Sequence, residues 1–209
     1  MTIRPMKIVV FASGSGSNAE ALARWALQNP SQVVVVGLLT DNPQAGVVQR
    51  AMDLKIPLKI VQKSDAKNSR KYHEQKILQA IFDWQPDWIF LAGYMRILSK
   101  SFLENFMDHA SGHSRVVNIH PSLLPEFPGV DAYRRAFDAG VSHGGITVHI
   151  VDEGMDTGPI LAQERFPRLP DDDLGSFQSR GQAVEHRIYV QVLAGVAEKF
   201  QNLQNKGGQ

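Results

Sequence analysis

The 209-residue sequence contains no cysteine, which excludes disulfide bonds and metal sites built on thiolates. It also lacks any apolar run near the roughly 20 residues that a membrane-spanning helix needs. Acidic and basic residues nearly balance, at 21 and 22, so the net charge of +1 gives no indication of a nucleic-acid partner. We recognise no targeting segment, and we expect a cytoplasmic protein that binds neither membranes nor nucleic acid.

The composition is otherwise that of a globular domain, with 43% hydrophobic residues. Seven apolar segments have the length and content of strands: 7–12, 32–40, 57–61, 88–92, 116–120, 145–151 and 160–166. Four stretches between or after them have helical character: 19–28, 64–84, 131–139 and 174–205. This alternation predicts an α/β fold, a single Rossmann-like domain over residues 1–209 with a mostly parallel sheet and helices on both faces.

A glycine-rich loop, residues 13–18, connects the first strand to the first helix. Its glycines allow a sharp turn, and the helix start with Ser17 and Asn18 offers donors that suit a phosphate. The same segment could be a tight turn capped by either side chain. It also fits a loose dinucleotide-binding pattern, with Asp41 where a ribose-binding carboxylate would stand, although a turn role for Asp41 is favoured. An NAD-dependent oxidoreductase is therefore a competing interpretation.

Asn118 and His120 lie two apart at the end of a predicted strand, so they share one face. An amide beside an imidazole suits a reaction in which negative charge develops on oxygen. Asp156, in a later glycine-rich loop, would keep the imidazole protonated if it folds over the pair. Structural roles remain open for each residue. The sequence has neither a Gly-x-Ser-x-Gly elbow nor a His-Glu-x-x-His pattern, so we expect no acyl-enzyme and no metal.

Four motifs resemble the folate-dependent formyltransferases. They are Asn-Ile-His-Pro-Ser-Leu-Leu-Pro at 118–125 with Phe-Pro-Gly at 127–129, Asp-Thr-Gly-Pro at 156–159, the segment 91–99, and the loop 13–18. The loop resembles the branch that formylates glycinamide ribonucleotide, and the resemblance extends from about 7 to 192. We recognise neither the tRNA-binding domain of one sister branch nor the regulatory domain of the hydrolase branch, which favours the purine branch.

The resemblance implies transfer of the formyl group of 10-formyltetrahydrofolate to the amine of glycinamide ribonucleotide in de novo purine biosynthesis. The amine would attack directly, with assistance from Asn, His and Asp and without a metal. Hydrolysis of 10-formyltetrahydrofolate and transfer to another acceptor amine remain alternatives. The oxidoreductase and a non-catalytic binding module are more distant ones. A homodimer is compatible with the sequence.

The resemblance also assigns individual residues. Catalysis falls to Asn118, His120 and Asp156. Binding of the ribonucleotide falls to Gly16, Ser17, Asn18, Gly93, Gln182 and Glu185. Binding of the folate falls to Arg70, Met95, Arg96, Ile97, Leu98, Asn118, Asp152, Glu153, Gly154, Met155 and Asp156. The phosphate site is thus expected in the N-terminal half and the catalytic and folate-binding loops in the C-terminal half.

Two segments depart from the family pattern, the stretch after Pro-Gly and the segment 107–115, which is longer than in the shortest relatives. Many relatives have a histidine soon after the Pro-Gly of residues 128–129, whereas this chain has Asp131 and Tyr133 there, to which the resemblance assigns no role. His149 is expected to form a hydrogen bond beside the site rather than to act on substrate. Leu124–Pro125 is a candidate cis peptide, and the segment 107–115 receives no role.

Overall fold

The computed structural model describes residues 3–63 and 69–206. This part of the chain contains nine strands: β1 (Met6–Phe11), β2 (Val33–Thr40), β3 (Leu58–Ile60), β4 (Trp88–Leu91), β5 (Met107–Asp108), β6 (His113–Ser114), β7 (Val116–His120), β8 (His143–Ile150) and β9 (Ile160–Pro167). Its α-helices are α1 (Ser17–Gln28), α2 (Gly46–Asp53), α3 (Ser69–Ile81), α4 (Lys100–Leu103), α5 (Ala132–Asp138) and α6 (Leu174–Lys206).

Seven of the strands form one sheet in the order β3-β2-β1-β4-β7-β8-β9. The first five are parallel, whereas β8 pairs antiparallel with both β7 and β9. The register of β7 and β8 sets Asn118 opposite His149 and His120 opposite Thr147. The predicted single α/β domain with a mostly parallel sheet is therefore confirmed, with β8 running against the other six strands near one edge.

Alternation along β1 divides the core between the two faces of the sheet. Ile8 and Val10 pack in a cluster with α1 and α6, whereas Val9 and Phe11 pack in a second cluster with α3 and α4. Successive strand residues point to opposite faces, so a continuous apolar run is what a strand buried on both sides requires. Each fully buried aliphatic or aromatic side chain stabilises the fold by about 1.5–3 kcal/mol.

The predicted strands match the observed ones to within about two residues. The helices α2 and α4 were not predicted, and a small hairpin of β5 and β6 occupies part of the segment that received no role. Residues 64–68 of the helix predicted at 64–84 lie outside the described residues, and its end is a 3₁₀ turn, Phe82–Trp84. Leu124–Pro125 is cis. Within 3–63 and 69–206, no helix is both long and apolar enough to cross a bilayer.

Tyr189 joins α6 to the strand ends that carry the polar residues. Its side chain is fully buried, and its hydroxyl donates to the carbonyls of Leu91, at 2.8 Å, and Val117, at 3.2 Å. A buried hydroxyl between β4 and β7 fixes the helix at one height along the sheet.

We expect Tyr189→Phe to lower the free energy of unfolding by about 1–3 kcal/mol, because two buried carbonyls lose a donor. Urea denaturation followed by circular dichroism measures the change. Tyr72→Phe, in an exposed tyrosine of α3, is the matched control and should leave the midpoint unchanged. Equal midpoints for the two variants would contradict the role given to Tyr189.

Candidate active site

A cleft of about 1060 Å³ opens where β1, β4 and β7 end. Segments from across the chain line it: the glycine loop after β1, the segment after β4, the end of β7, residues 128–138, the loop after β8, and one face of α6. Ligands of parallel α/β sheets bind beyond the carboxyl ends of the strands. The cleft therefore lies at the edge of the sheet where the sequence predicts a site.

The polar residues of β7 lie where the helical cover of the sheet ends. Asn118, His120 and Val116 share one face of the strand, since they are two residues apart. Val116 is buried in the core beneath α3 and α4. Asn118 and His120 lie farther along β7 and line the cleft instead. The change from apolar to polar along one strand face thus marks the boundary between core and cleft.

Asp156 reaches this pair from the loop between β8 and β9. Because β8 runs antiparallel to β7, Ile150 lies beside Val117, and the loop must turn back before Asp156 meets the end of β7. Asp156 Oδ2 lies 3.3 Å from His120 Nδ1, and Oδ1 lies 3.4 Å from Asn118 Nδ2. The structure therefore brings the three predicted catalytic residues together.

The Asp156 carboxylate is held by several donors. The Gly129 N–H donates to Oδ2 over 2.7 Å, and the backbone of Asp156 has φ 57°, a left-handed conformation that costs energy for a non-glycine residue. Burial alone would raise the pKa of Asp156, but hydrogen bonds from His149 and Gly129 and the charges of the two histidines lower it to about 2. Asp156 is therefore ionised at neutral pH.

His120 corrects one expectation. Its Nε2–H donates to the carbonyl of Phe127 over 2.9 Å, so Nδ1 is the nitrogen that faces Asp156. Burial lowers the pKa of His120 below its usual value, and it outweighs the Phe127 carbonyl and the Asp156 carboxylate, which both raise that pKa. This balance favours a neutral imidazole in the free cleft, against the expectation that Asp156 keeps it protonated.

His149 connects Asn118 and Asp156. Its Nδ1–H donates to the carbonyl of Ile150 over 2.8 Å, which directs Nε2 toward the other two side chains. Nε2 lies 3.2 Å from Asn118 Nδ2 and 3.5 Å from Asp156 Oδ1. The ring accepts from the Asn118 amide when Nε2 has no proton, and it donates to Asp156 when Nε2 has one. His149 is placed beside the site, as predicted.

The loop 127–131 supports both His120 and Asp156. Phe127 and Asp131 have φ of 50° and 56°, left-handed values that non-glycine residues seldom adopt. The Arg135 guanidinium bridges this loop, since it donates to the carbonyls of Pro128 and Val130. Because the loop supplies the Phe127 carbonyl and the Gly129 N–H, its conformation determines how the histidine and the aspartate face each other.

The glycine loop leads directly into α1. Gly16 is the N-cap of this helix and has φ 77°. The start of the helix therefore has no capping hydrogen bond from a side chain. A Cβ at Gly16 would lie 2.7 Å from Val47, so no other residue fits. The interpretation of this loop as a turn capped by Ser17 or Asn18 is therefore wrong, since neither side chain caps the helix. Gly16, Ser17 and Asn18 line the cleft, and the first turn of a helix is a place where an anion is favoured.

The ribonucleotide residues predicted on α6 lie on the same helix face. Gln178, Gln182 and Glu185 follow one another at helical spacing and line the cleft. The Glu185 carboxylate accepts from Asn18 Nδ2 over 2.5 Å. Gly93 lines the same cleft. All six residues assigned to the ribonucleotide therefore border the same space.

The segment Met95–Leu98 lines the cleft and an adjoining pocket of about 350 Å³, which also includes Arg70. Met95, Ile97 and Met155 expose half or more of their surface, which is apolar. Asp152, Gly154 and Met155 also line the cleft. The part of the cleft lined by Met95–Leu98 therefore has an apolar surface, and the adjoining pocket contains Arg70 and Arg96.

Arg96 is held by Asp41, with 2.6 Å between Nε and Oδ2. Burial alone would raise the pKa of Asp41, but hydrogen bonds from Ser13 and Arg96 lower it below its usual range. Asp41 is thus engaged within the protein and is not directed at a ribose. Arg70 pairs with Glu74 at 3.5 Å. Glu153 is the one assigned residue outside both spaces, in an exposed ion pair with Lys100 at 3.2 Å.

The chain matches the formyl transferase family over residues 6–193. It belongs to the formyl transferase family. The family predicted from the motifs is confirmed.

Among relatives, phosphoribosylglycinamide formyltransferase of Bacillus subtilis (strain 168) is 39% identical, over 96% of this chain and 97% of its own. That of Mycobacterium tuberculosis (strain H37Rv) is 37% identical, over 92% and 86%. The solved structure of phosphoribosylglycinamide formyltransferase from Brucella melitensis is 41% identical, covers 93% of this chain and 96% of that one, and has a TM-score of 0.82. That from Bacillus halodurans is 40% identical, with coverages of 94% and 98% and a TM-score of 0.83.

Several residues of this formyl transferase site were not predicted. Ser13 donates to Asp41 and accepts from the Met95 N–H, so it connects the glycine loop to the segment after β4. Gln178 could have been found, because it lies one helical turn before Gln182. Tyr133 lies in a segment that departs from the family pattern, and no sequence signal revealed its contact with Glu185. Within 3–63 and 69–206, no cluster of three or more His, Asp or Glu could hold a metal ion.

We expect Asp156→Asn to lower the pKa of His120 further, because the negative charge that raises it is removed while the burial remains. NMR titration of the histidine ring protons measures this, with His120→Ala identifying the signal. A raised or unchanged His120 pKa in Asp156→Asn would show that the carboxylate does not act on the ring.

Proposed function

We propose that this formyl transferase transfers the formyl group of 10-formyltetrahydrofolate to the amine of glycinamide ribonucleotide, in purine biosynthesis. The observation that carries the proposal is the meeting of Asn118, His120 and Asp156 between two unlike ends of one cleft. One end is a helix N-terminus suited to phosphate, and the other is apolar with arginines. The name shared by the relatives supports the same activity.

The ribonucleotide occupies the end formed by the glycine loop and α6. Its phosphate accepts hydrogen bonds from the N–H groups of Gly16 and Ser17 and from the Ser17 hydroxyl, with the helix dipole favouring its charge. Its ribose hydroxyls lie against Gln182 and Glu185, and Gly93 allows close approach. The N-terminal half of the chain thus supplies the phosphate site, and the C-terminal half supplies the ribose contacts and the catalytic residues.

The folate occupies the end formed by Met95–Leu98 and the loop 152–156. The exposed apolar side chains of Met95, Ile97 and Met155 suit a flat, largely apolar ring system, so the cleft fits this co-substrate. Arg70 and Arg96 provide cations for the carboxylates of its glutamate tail. Glu153 lies apart from the pocket and takes no part beyond its loop. The co-substrate supplies the formyl carbon.

Asn118 acts on the formyl oxygen. Its amide, oriented by His149, donates a hydrogen bond to the negative charge that develops on that oxygen when the neutral amine attacks the carbon. A donor fixed in advance in a partly buried cleft needs no rearrangement during the reaction. Removal of one such donor costs about 100-fold to 1,000-fold in rate.

His120 and Asp156 handle the proton. The imidazole is neutral before the reaction, so its Nδ1 can accept the proton that the attacking amine loses. The resulting imidazolium lies beside the ionised Asp156, which stabilises it. The same proton then passes to the departing folate nitrogen, so that the pair ends as it began. No covalent bond to the protein is formed, and a cytoplasmic setting supplies both small-molecule substrates.

Two competing activities are distinguished by the acceptor. A hydrolase would release formate from 10-formyltetrahydrofolate in the absence of any amine. A transferase with another acceptor would not require the ribonucleotide. The engagement of Asp41 with Arg96 argues against an NAD-dependent oxidoreductase.

We expect tetrahydrofolate to form only when protein, 10-formyltetrahydrofolate and glycinamide ribonucleotide are all present, as followed by absorbance. Release without the ribonucleotide would indicate the hydrolase, and equal rates with unrelated amines would indicate another acceptor.

In the same assay His120→Ala and Asn118→Ala should each lose about 100-fold or more in kcat. Lys100→Ala, in an exposed ion pair, is the matched control and should keep wild-type turnover. Full activity in both site variants would refute the mechanism.

We expect Ser17→Ala combined with Asn18→Ala to raise the KM for glycinamide ribonucleotide by about 10-fold or more, because two polar groups at the phosphate end are lost. The KM for 10-formyltetrahydrofolate should change little. Steady-state kinetics with each substrate varied in turn measures both constants. If only the folate constant rises, the phosphate end has been assigned to the wrong substrate.

A further inference from the structure

Tyr133 contacts the predicted ribose side of the cleft, although the family resemblance assigned it no role. It is the second residue of α5, and its hydroxyl donates to Glu185 Oε1 over 2.5 Å. Burial raises the pKa of Tyr133 far above its usual value, and the charge and hydrogen bond of Glu185 raise it further. The hydroxyl therefore stays protonated and donates at any pH at which the protein is folded.

The Glu185 carboxylate is shared between two neutral donors. Tyr133 donates to Oε1 and Asn18 to Oε2, while only 7% of the residue is exposed. Across 3–63 and 69–206, no Lys, Arg or His forms an ion pair with it. Each carboxylate oxygen can accept two hydrogen bonds, and each has one donor here. One lone pair on each oxygen therefore remains for a ligand. The two donors decide where those lone pairs point.

Gly181 makes the space that Tyr133 occupies. It lies one helical turn before Glu185 on α6, and a Cβ there would be 2.4 Å from Tyr133 Cε1 and from its hydroxyl oxygen. The ring also packs edge-on to Phe177, with 6.3 Å between centroids. A glycine on α6 and a tyrosine on α5 are therefore complementary, and together they set the height of the hydroxyl against the carboxylate.

We propose that Tyr133 is a positioning residue for the acceptor substrate. With Gly181 it fixes the Glu185 carboxylate so that its remaining lone pairs accept from the two ribose hydroxyls, and Asn18 ties the same carboxylate to the phosphate loop. This inference rests on the proposed function, because it deepens the assignment of that end of the cleft to a ribonucleotide. Tyr133 does not touch the reacting atoms.

Tyr133→Phe removes the hydroxyl and keeps the ring against Gly181. The Kd and KM for glycinamide ribonucleotide should rise about 10-fold to 100-fold, as expected when a hydrogen bond to a charged group is lost. The kcat at saturation and the KM for 10-formyltetrahydrofolate should stay within about twofold. Calorimetric titration gives the Kd, and Tyr72→Phe is the matched control.

Two further measurements separate positioning from general stability. The wild-type chain should prefer the ribonucleotide over its 2′-deoxy analogue, and Tyr133→Phe should reduce that preference, because the carboxylate no longer faces the hydroxyl. In a Glu185→Gln background, adding Tyr133→Phe should have little further effect on KM. Gly181→Ala should raise the same KM by displacing the ring, with thermal denaturation used to check that the variant is folded.

The outcomes are distinct. A wild-type chain that does not formylate glycinamide ribonucleotide overturns the proposed function, and the inference with it. An active wild type with an unchanged ribonucleotide KM in Tyr133→Phe overturns the inference alone. A rise in both substrate constants, or a fall in kcat without a change in KM, also overturns it, since the hydroxyl would then act on the site as a whole.

Discussion

The candidate site depends on the contacts that the two oxygens of the Asp156 carboxylate make. One faces Asn118 and His149, and the other accepts from Gly129 and faces His120. An ionised carboxylate in a partly buried place must have donors around it, because an unpartnered charge there would be costly. The residues that surround Asp156 therefore hold one another, and the left-handed backbone of Asp156 is maintained by these contacts rather than by its own preference.

The antiparallel step at β8 explains how this arrangement arises. In a wholly parallel sheet every loop after a strand would start at the same edge, and Asn118 would face only such loops. Here β8 runs back along β7, so His149 and Thr147 stand beside Asn118 and His120 in register. Thr147 donates to the Ser122 carbonyl and so fixes the turn that follows β7. The loop with Asp156 then closes over a strand face already lined with polar groups.

The sequence predicted this architecture because the apolar runs at 7–12, 32–40 and 116–120 leave little choice but buried strands. It also predicted that Asn118, His120 and Asp156 belong together, although motif resemblance rather than spacing connected the aspartate. The resting protonation of His120 could not be predicted, because it depends on a balance between burial and two acceptors that only coordinates reveal. Likewise the space above Gly181 depends on the packing of α5 against α6, which no local pattern encodes.

The hydrogen bond between Asn18 and Glu185 joins positions 167 residues apart. No local contact brings these residues together, so the pair depends on the packing of α1 and α6 in one core cluster beside the sheet. A nascent or partly unfolded chain consequently lacks this contact between the glycine loop and α6, even where its glycine turn is already formed. A ligand that contacts both the glycine loop and α6 can therefore bind only when the tertiary structure is complete. Such a ligand should protect α6 against local opening.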